Sequence, residues 1–345
     1  MPAMFRRCVL PVLALSLVVG AACSPKDAPG IVMLAVSTNL VPGRDFTRGD
    51  LIAGDLSDAE TNYSQTEFYA QEVDFPFTLS LRGAEPDAEK KYPARVRIVF
   101  SKGPQGAEVV VAARDVQVVL PGPEQQQMVH VSVDWLSMYD DRFVPLAGVV
   151  SSIDLQPFPP AGRNCSETTT LNALGQCVAI GADEGGEFDR KVEPYDPTRI
   201  YGGGISASEG SACFSAQACL EGGQVVTATL VSGKCQVDLP SEVTDKTTLA
   251  VLTASSVEAD VARCGAEGCG DDLGAAHGRG VVLDREVYTF SGARVTLPVK
   301  VCERFPAGAR ILVSDACVKK ERSLPLCPAA GVESGRVGAT RVIAP

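Results

Sequence analysis

The stretch VDFPFTLSLR, residues 73–82, alternates apolar with polar side chains over most of its length. An extended chain turns successive side chains to opposite faces. The alternation therefore predicts a strand with Phe77, Leu79 and Leu81 in a core and Thr78 and Ser80 in water. The same period returns in ARVRIVF, residues 94–100, where arginine takes the polar positions.

Several neighbouring segments also have the composition of strands. Residues 31–38 are apolar enough for a strand buried on both faces, and residues 108–120 and 128–136 continue the alternation. Gly and Pro at 102–104 and 121–123 mark turns between them. We therefore predict an all-β protein whose residues 31–160 form a sandwich of the immunoglobulin or fibronectin type, by architecture alone.

The 12 cysteines divide the chain into two regions. None lies from Ser24 to Asn164, so the sandwich must be stabilised by apolar burial alone. Residues 205–345 contain alternating segments and most of the cysteines, which predicts a second β-rich domain stapled by disulfides. Its predicted strands are 226–230, 249–252, 280–283, 295–301, 310–313 and 337–343.

Residues 161–204 are predicted to connect the two domains through a small disulfide loop and an acidic linker rich in Gly and Pro. Because short loops have the smallest closure entropy, we expect local disulfides first. The predicted pairs are Cys165 with Cys177, Cys213 with Cys219, Cys264 with Cys269, and Cys317 with Cys327, which leaves Cys235 with Cys302.

Residues 1–22 have the layout of a signal peptide, with arginines at 6–7, an apolar run at 9–19 and small residues at 20–22. The next residue, Cys23, is either a lipid anchor or a free thiol left by ordinary signal peptidase. Cys8 leaves with the signal peptide, so lipid on Cys23 leaves an even number of cysteines for disulfides. We favour the lipid anchor, with residues 23–30 as its tether.

The junction resembles a bacterial lipoprotein signal, and Ser24 after the cysteine then implies sorting to the outer membrane. The resemblance extends to IVMLAVSTNLVPG (31–43), CSETTTLNALGQC (165–177) and LPVKVCERFPAGARILVSDACVKKERSLPLC (297–327). With these segments the chain resembles uncharacterised, cysteine-rich bacterial surface lipoproteins of the myxobacterial kind. That resemblance implies an exported outer-membrane lipoprotein, periplasmic or surface-exposed, and implies no activity or site.

Composition restricts the partners. The net charge is −11 and the sequence has no basic stripe, which argues against nucleic acid. The membrane contact is predicted to run through the N-terminal lipid, since no other apolar window approaches the roughly 20 residues of a spanning helix. With one tryptophan for stacking on sugars, a protein partner is favoured over a polysaccharide, and both stay open.

The segment MVHVSVDWL, residues 128–136, contains the residue types of a hydrolase triad in His130, Ser132 and Asp134. Side chains at i and i+2 of a strand stand roughly 7 Å apart and parallel, too far for a base to contact a hydroxyl. The sequence also lacks a G-x-S-x-G elbow. We therefore interpret the three residues as the wet face of a half-buried strand.

A metal site is the alternative for His277, which follows Cys264, Cys269, Asp271 and Asp272. Zinc sites usually have C-x-x-C knuckles or paired histidines, whereas these cysteines have four residues between them. Exported cysteines are more often oxidised. We interpret the segment as a disulfide-tied loop with an exposed histidine, and we predict no metal and no cofactor.

The acidic linker offers oxygen ligands for calcium, but its spacing does not match the D-x-D-x-D-G loop. A solvated run of charge is the preferred interpretation. Tyr201 to Gly204 lacks the Lys-Ser/Thr of a phosphate loop and is interpreted as a hinge. The acidic residues are Asp183, Glu184, Glu187, Asp189, Glu193 and Asp196.

Three functions remain at this point. The favoured one is a lipid-anchored, non-catalytic surface module that binds a partner through loops or an edge strand. The second is a hydrolase of envelope material with His130 or His277 as base. The third is a structural spacer of an envelope assembly. We assign no catalytic residue, because the sequence has no dense cluster of chemically active side chains.

Overall fold

The computed structural model describes residues 30–55, 63–70, 73, 75–82, 93–139, 144–145, 165–166, 169–181, 191–196, 213–254, 264–322, 324, 326–327 and 341–343. Strands account for 50% of the structure and helices for 9%, which confirms the all-β prediction. The helices are α1 (Ala216–Leu220) and α2 (Val299–Arg304), with single 3₁₀ turns at Trp135–Ser137 and Arg285–Val287. The strands are β1 (Ile31–Ser37), β2 (Arg48–Asp55), β3 (Tyr63–Tyr69), β4 (Phe77–Arg82), β5 (Pro93–Lys102), β6 (Val109–Val119), β7 (Gln126–Ser132), β8 (Val144–Pro145), β9 (Thr169–Leu171), β10 (Cys177–Ala179), β11 (Val192–Pro194), β12 (Gln224–Val231), β13 (Lys234–Asp238), β14 (Thr248–Leu252), β15 (Asp271–Asp272), β16 (Arg279–Leu283), β17 (Thr289–Ser291), β18 (Arg294–Leu297), β19 (Ala309–Ser314) and β20 (Arg341–Ile343).

The N-terminal unit is a sandwich of two five-stranded sheets, in the orders β11-β7-β1-β4-β20 and β3-β2-β5-β6-β8. Leu34, Leu79 and Val131 from the first sheet belong to the same buried cluster as Ile98 and Phe100 from the second. The alternation in the sequence thus positions one apolar face of each sheet in a shared core.

The strand order is immunoglobulin-like at the centre of the two sheets and differs toward their edges. β1 pairs antiparallel with β4 in one sheet, and β2, β5 and β6 are neighbours in the other. In immunoglobulin domains the strand that corresponds to β1 has the first strand of the chain as its other neighbour, on the side opposite the strand that corresponds to β4. Here that place belongs to β7, which follows β6 in the chain and pairs parallel with β1.

The C-terminal unit is a curled eight-stranded sheet, in the order β15-β16-β14-β19-β12-β13-β18-β17. Its inner face, with residues such as Val251, Val281 and Ile311, shares one buried cluster with the sandwich. Helix α1 packs on the outer face against Leu252 and Leu312, in a second apolar cluster. The helix covers β14, β16 and β19.

Five disulfides lie in the described residues. Three of the expected pairs are present: Cys165 with Cys177, Cys235 with Cys302, and Cys264 with Cys269. The predicted local pairs Cys213 with Cys219 and Cys317 with Cys327 are wrong. The structure joins Cys213 to Cys327 and Cys219 to Cys317, over 114 and 98 residues.

Tertiary pairing explains this difference. A β-bridge between Phe214 and Leu326 aligns the two ends of the C-terminal unit beside Cys213 and Cys327. The end of β19 lies against α1, where the Ser314 hydroxyl donates a hydrogen bond to the carbonyl oxygen of Cys219 at 2.5 Å. Once strands have aligned distant segments, loop-closure entropy no longer favours the nearest cysteine in the sequence.

Two short strands belong to the sandwich although the sequence analysis placed them elsewhere. β11, from the predicted linker 161–204, pairs antiparallel with β7. β20, from the predicted domain 205–345, pairs parallel with β4. A further strand prediction, over 295–301, is correct only to Leu297, because α2 follows and buries Val301 and Cys302.

Candidate functional site

The two units meet along a contact that we call the seam. Its sandwich side is formed by two loops, residues 39–46 and 134–139, and its C-terminal side by residues 269–272, 284–286, 304–305 and 320–322. Met138 and Cys269 face each other across it with their sulfur atoms 3.9 Å apart. The seam is continuous with the apolar core of both units.

Trp135 is the aromatic residue at the seam. Its ring stacks on Phe305 with the centroids 6.1 Å apart, and the guanidinium carbon of Arg304 lies 4.7 Å from its centroid. Arg304 also donates a hydrogen bond from Nη2 to the carbonyl oxygen of Met138 at 2.8 Å. Arg304 and Phe305 of the C-terminal unit therefore both contact the 134–139 loop of the sandwich.

Asp134 begins the 3₁₀ turn and anchors the two sandwich loops to each other. Its Oδ1 accepts a hydrogen bond from the backbone N–H of Asn39 at 3.0 Å. In return the Asn39 side-chain oxygen accepts from the N–H of Trp135 at 2.8 Å. Ser137 completes the turn by accepting from the N–H of Asp134 at 2.8 Å.

A buried group of charges crosses the seam beside Asp134. Asp284 pairs with Lys320 at 2.6 Å, and Arg322 lies 3.5 Å from Asp284 and 4.0 Å from Asp134. Glu286 accepts a hydrogen bond from the backbone N–H of Arg322 at 3.3 Å. Glu286 is exposed, whereas the other four side chains are buried, and removing one buried charge is costly because its partner is then left unpaired.

A second polar contact lies at the other end of the seam. The Asp45 carboxylate accepts hydrogen bonds from the N–H groups of Val41, at 2.9 Å, and of Gly270, at 3.0 Å. Arg44 pairs with the same carboxylate at 3.2 Å. Gly270 has a φ of +86° that suits glycine alone, and this conformation aims its N–H at Asp45.

In the structure, Ser132 and Asp134 of the triad-like segment have different hydrogen-bond partners and do not act on each other. The Ser132 hydroxyl is hydrogen-bonded to the Ser37 hydroxyl at 2.9 Å, and the Asp134 carboxylate contacts Asn39. The prediction of a wet face is wrong, since His130, Ser132 and Asp134 are 5%, 0% and 2% exposed. The sequence pattern could not reveal this, because residues remote in the chain bury that face.

The segment around His277 is a structural loop. Cys264 and Cys269 form a disulfide, and Nε2 of His277 donates a hydrogen bond to the carbonyl oxygen of Glu221 at 2.9 Å. Asp272 accepts from the N–H of Gly274 at 2.9 Å. Within the part of the chain that the structure describes, no three His, Cys, Asp or Glu side chains are grouped to hold a metal ion.

Several sequence-based assignments concern residues that the structure does not describe. Cys23, the hinge at Tyr201 to Gly204 and the acidic residues from Asp183 to Asp189 lie outside the described residues. Of the remaining linker acids, Glu193 is part of β11 and pairs with Lys191 at 3.2 Å. It is 7% exposed, so at this position the interpretation as solvated charge is wrong.

Sequence reasoning missed a buried ion group on the outer side of the sandwich. Asp115 accepts hydrogen bonds from Arg95 at 2.6 Å and from Arg97 at 2.7 and 3.0 Å. The predicted water-facing side of β5 is therefore buried. The hairpin β9–β10, closed by the Cys165–Cys177 disulfide, covers it, and the Thr170 hydroxyl accepts from the Asp115 N–H at 3.1 Å.

The uncovered part of the C-terminal sheet is the other candidate site. On the outer face, Thr229, Gln236, Thr296 and Thr289 stand side by side across β12, β13, β18 and β17. We call this surface the bare face. It also includes the β12 residues Val225, Thr227 and Val231, the charged residues Lys234, Asp238, Arg294 and Arg310, and Ser291.

The bare face combines exposed apolar and hydroxyl side chains with charges at its border. Val225 and Val231 are 39% and 50% exposed. Asp238 and Arg294 pair at one end at 2.7 Å, and Lys234 lies at the other. The charges therefore lie at two ends of the face, with valine, threonine and glutamine between them.

Comparisons with protein-family models, with curated proteins and with solved structures find no match for this chain. Among the described residues no helix has the length and apolar character needed to cross a membrane. The disulfides are those of a protein that folds in an oxidising compartment outside the cytoplasm.

Proposed function

We propose that this chain is a non-catalytic interaction module, anchored by lipid to the outer membrane, that binds a partner protein through the bare face. The observation that carries the proposal is the exposure of Val225 and Val231 beside the row of threonines, next to a half of the same sheet face that α1 covers. Both valines lie on the same uncovered face of β12, and such an uncovered sheet face is a candidate surface for a partner.

The bare face is already ordered before a partner arrives. Cys235, on the central strand β13, is joined beneath the sheet to Cys302 of α2. The short turn after β12, with Ser232 and Gly233 at φ +50° and +76°, fixes the hairpin β12–β13. A preordered surface loses little conformational entropy on association, which favours binding.

The chemistry of the bare face favours a protein over a polysaccharide. Sugar-binding surfaces use aromatic rings for stacking, whereas the bare face presents valine, threonine and glutamine. The single tryptophan of the chain is buried at the seam, 3% exposed. Threonine hydroxyls and a glutamine amide suit the backbone and side chains of a partner protein.

A photo-crosslinking amino acid at position 229 tests the binding surface. We expect Thr229 replaced by the photoreactive residue to capture one partner protein in the envelope of the parent cells. The same residue in place of Val119, which is 43% exposed on the sandwich, is the matched control and should give no adduct. We also expect Thr229→Arg to abolish capture from position 236, because the long charged side chain obstructs the face.

Two results would overturn the proposal. One is the absence of an adduct from positions 229, 236 and 296, or an identical adduct from position 119. The other is an adduct that glycosidases remove and proteases leave intact, which would identify a polysaccharide as the partner.

The lipid anchor is tested separately. We expect the mature protein to begin at a diacylglyceryl-modified Cys23 by mass spectrometry, and globomycin to cause the unprocessed precursor to accumulate. Cys23→Ser should move the protein from the membrane fraction to the soluble fraction or leave it as the precursor. A mature form that begins with an unmodified Cys23 would contradict the anchor and leave the bare-face proposal standing.

A further inference from the structure

The first of two unusual carboxyl groups at the seam is Asp134. It is 2% exposed, and its Oδ2 lies 4.0 Å from Nη2 of Arg322, beyond hydrogen-bond distance. The cations beside it serve Asp284 instead, which has Lys320 at 2.6 Å and Arg322 at 3.5 Å. Asp134 is therefore a buried acid whose ion pair with Arg322 is long, and burial of such a carboxyl group favours its neutral form.

The groups around Asp134 change its pKa in opposite directions. Burial raises the pKa of Asp134 to about 7. The guanidinium groups of Arg322 and Arg114 and the N–H of Asn39 lower it, while Asp284 raises it further. The geometry and the electrostatics agree that this carboxyl group holds a proton more readily than an ordinary aspartate does.

Asp271 is the second such group, at the other end of the seam. It is 8% exposed, and its Oδ2 is buried with no hydrogen-bond partner in the described part of the chain. Arg44 and Lys320 favour its charged form, while Asp45 and Asp272 oppose it. Burial is the largest influence and raises the pKa of Asp271 to about 6.

We propose that the seam takes up protons at Asp134 and Asp271 when the medium is mildly acidified, and that this uptake strengthens the contact between the two units. The proton removes a buried negative charge that has only a long ion pair at Asp134 and an oxygen without a hydrogen-bond partner at Asp271. Asp284 keeps its contacts with Lys320 and Arg322, so the charges on the C-terminal side of the seam stay paired.

The sign follows from linkage between protonation and folding. In the unfolded chain both side chains have an ordinary aspartate pKa of about 4. Between about pH 5 and pH 7 the folded protein therefore binds protons that the unfolded chain does not, and stability increases as the pH falls. For each such proton the folding equilibrium constant changes up to about tenfold per pH unit.

An exported protein experiences the pH of its surroundings. The inference goes beyond the proposed binding function and does not depend on it. According to this inference, the contact between the sandwich and the C-terminal sheet is more stable in mildly acidic surroundings than at pH 8.

Urea denaturation at half-unit intervals from pH 5 to pH 8 tests the proposal. We expect wild-type protein to gain stability from pH 7.5 to pH 5.5. Asp134→Asn and Asp271→Asn should each lose part of that gain, because each removes one titrating group and retains the shape of the side chain. Carboxyl ¹³C chemical shifts of wild-type protein provide a measurement that needs no variant, and both midpoints should lie well above the ordinary aspartate value of about 4.

Two controls separate proton uptake from a merely structural role. Asp50→Asn removes a buried carboxylate of the sandwich that pairs with Arg48 and is not among the charges that act on Asp134 or Asp271, so it should lower stability without removing the gain at low pH. Asp238→Asn alters an exposed pair and should leave the pH profile unchanged. The proposal is overturned if both Asp134→Asn and Asp271→Asn retain the full wild-type gain, or if wild-type stability decreases from pH 7.5 to pH 5.5.

Discussion

Replacing Asp115 by alanine is expected to lower the free energy of unfolding by about 3–5 kcal/mol. The Asp115 carboxylate is the shared partner of Arg95 and Arg97, which are 8% and 1% exposed. Without it, two guanidinium groups remain buried beneath the β9–β10 hairpin with no opposite charge between them. Urea denaturation followed by circular dichroism measures the loss.

Asp238→Ala is the matched control for Asp115→Ala. Asp238 also pairs with an arginine through two hydrogen bonds, to Arg294 at 2.7 and 3.3 Å, but on the bare face in full contact with solvent. Its removal should leave the denaturation midpoint unchanged, because exposed pairs are screened by water and salt. Equal midpoints for the two variants would show that the Asp115 group does not have the stabilising role assigned here.

Replacing Trp135 by alanine is expected to cost about 3–5 kcal/mol, as for other buried aromatic residues. The substitution removes the stacking on Phe305 and the contact with Arg304, and it leaves a cavity in the middle of the seam. Circular dichroism must follow the unfolding, because Trp135 is the one tryptophan in the chain. The C-terminal sheet should then begin to unfold separately from the sandwich.

Phe290→Ala is the control for Trp135→Ala. Phe290 also has an arginine over its ring, with the Arg285 guanidinium carbon at 4.2 Å, but the ring is 42% exposed, whereas that of Trp135 is buried. We expect a loss below about 1 kcal/mol and a single transition. A loss as large as that of Trp135→Ala would mean that aromatic–arginine contacts in general, and not the seam, determine stability.

The sequence was a good guide to strands with period two. The segments around Leu79, Ile98 and Val131 form β4, β5 and β7. The sequence pattern did not predict β2. The sequence of this strand, RGDLIAGD, does not alternate regularly, and its Asp50 is buried as the hydrogen-bond partner of Arg48. Arginine and aspartate two positions apart on one strand face were the available signal for that pair.

The sequence was a poor guide to what covers each sheet. Arg97 and Ser132 occupy the polar positions of their strands, yet they are 1% and 0% exposed. Alternation shows that two faces differ, but it does not tell which later segment packs on the polar one. The β9–β10 hairpin, which follows β6 by some fifty residues in the chain, covers Arg97.

The seam depends on the same kind of long-range information. Asp134, Asp284 and Arg322 meet only after both units have folded. Nothing in the spacing of these residues marks them as a group. The bare face could be predicted as alternating strands, but its exposure becomes visible only once α1 is placed on the other half of the sheet.

The central claim is that the seam unites the two units in a single folded body. Trp135, the one tryptophan of the chain, reports on the seam by its fluorescence, while circular dichroism reports on all the strands. In a urea titration of the wild-type protein with its disulfides intact, the account predicts coincident transitions for the two signals. A fluorescence transition completed at lower urea, while the circular dichroism is still that of the native protein, would contradict it.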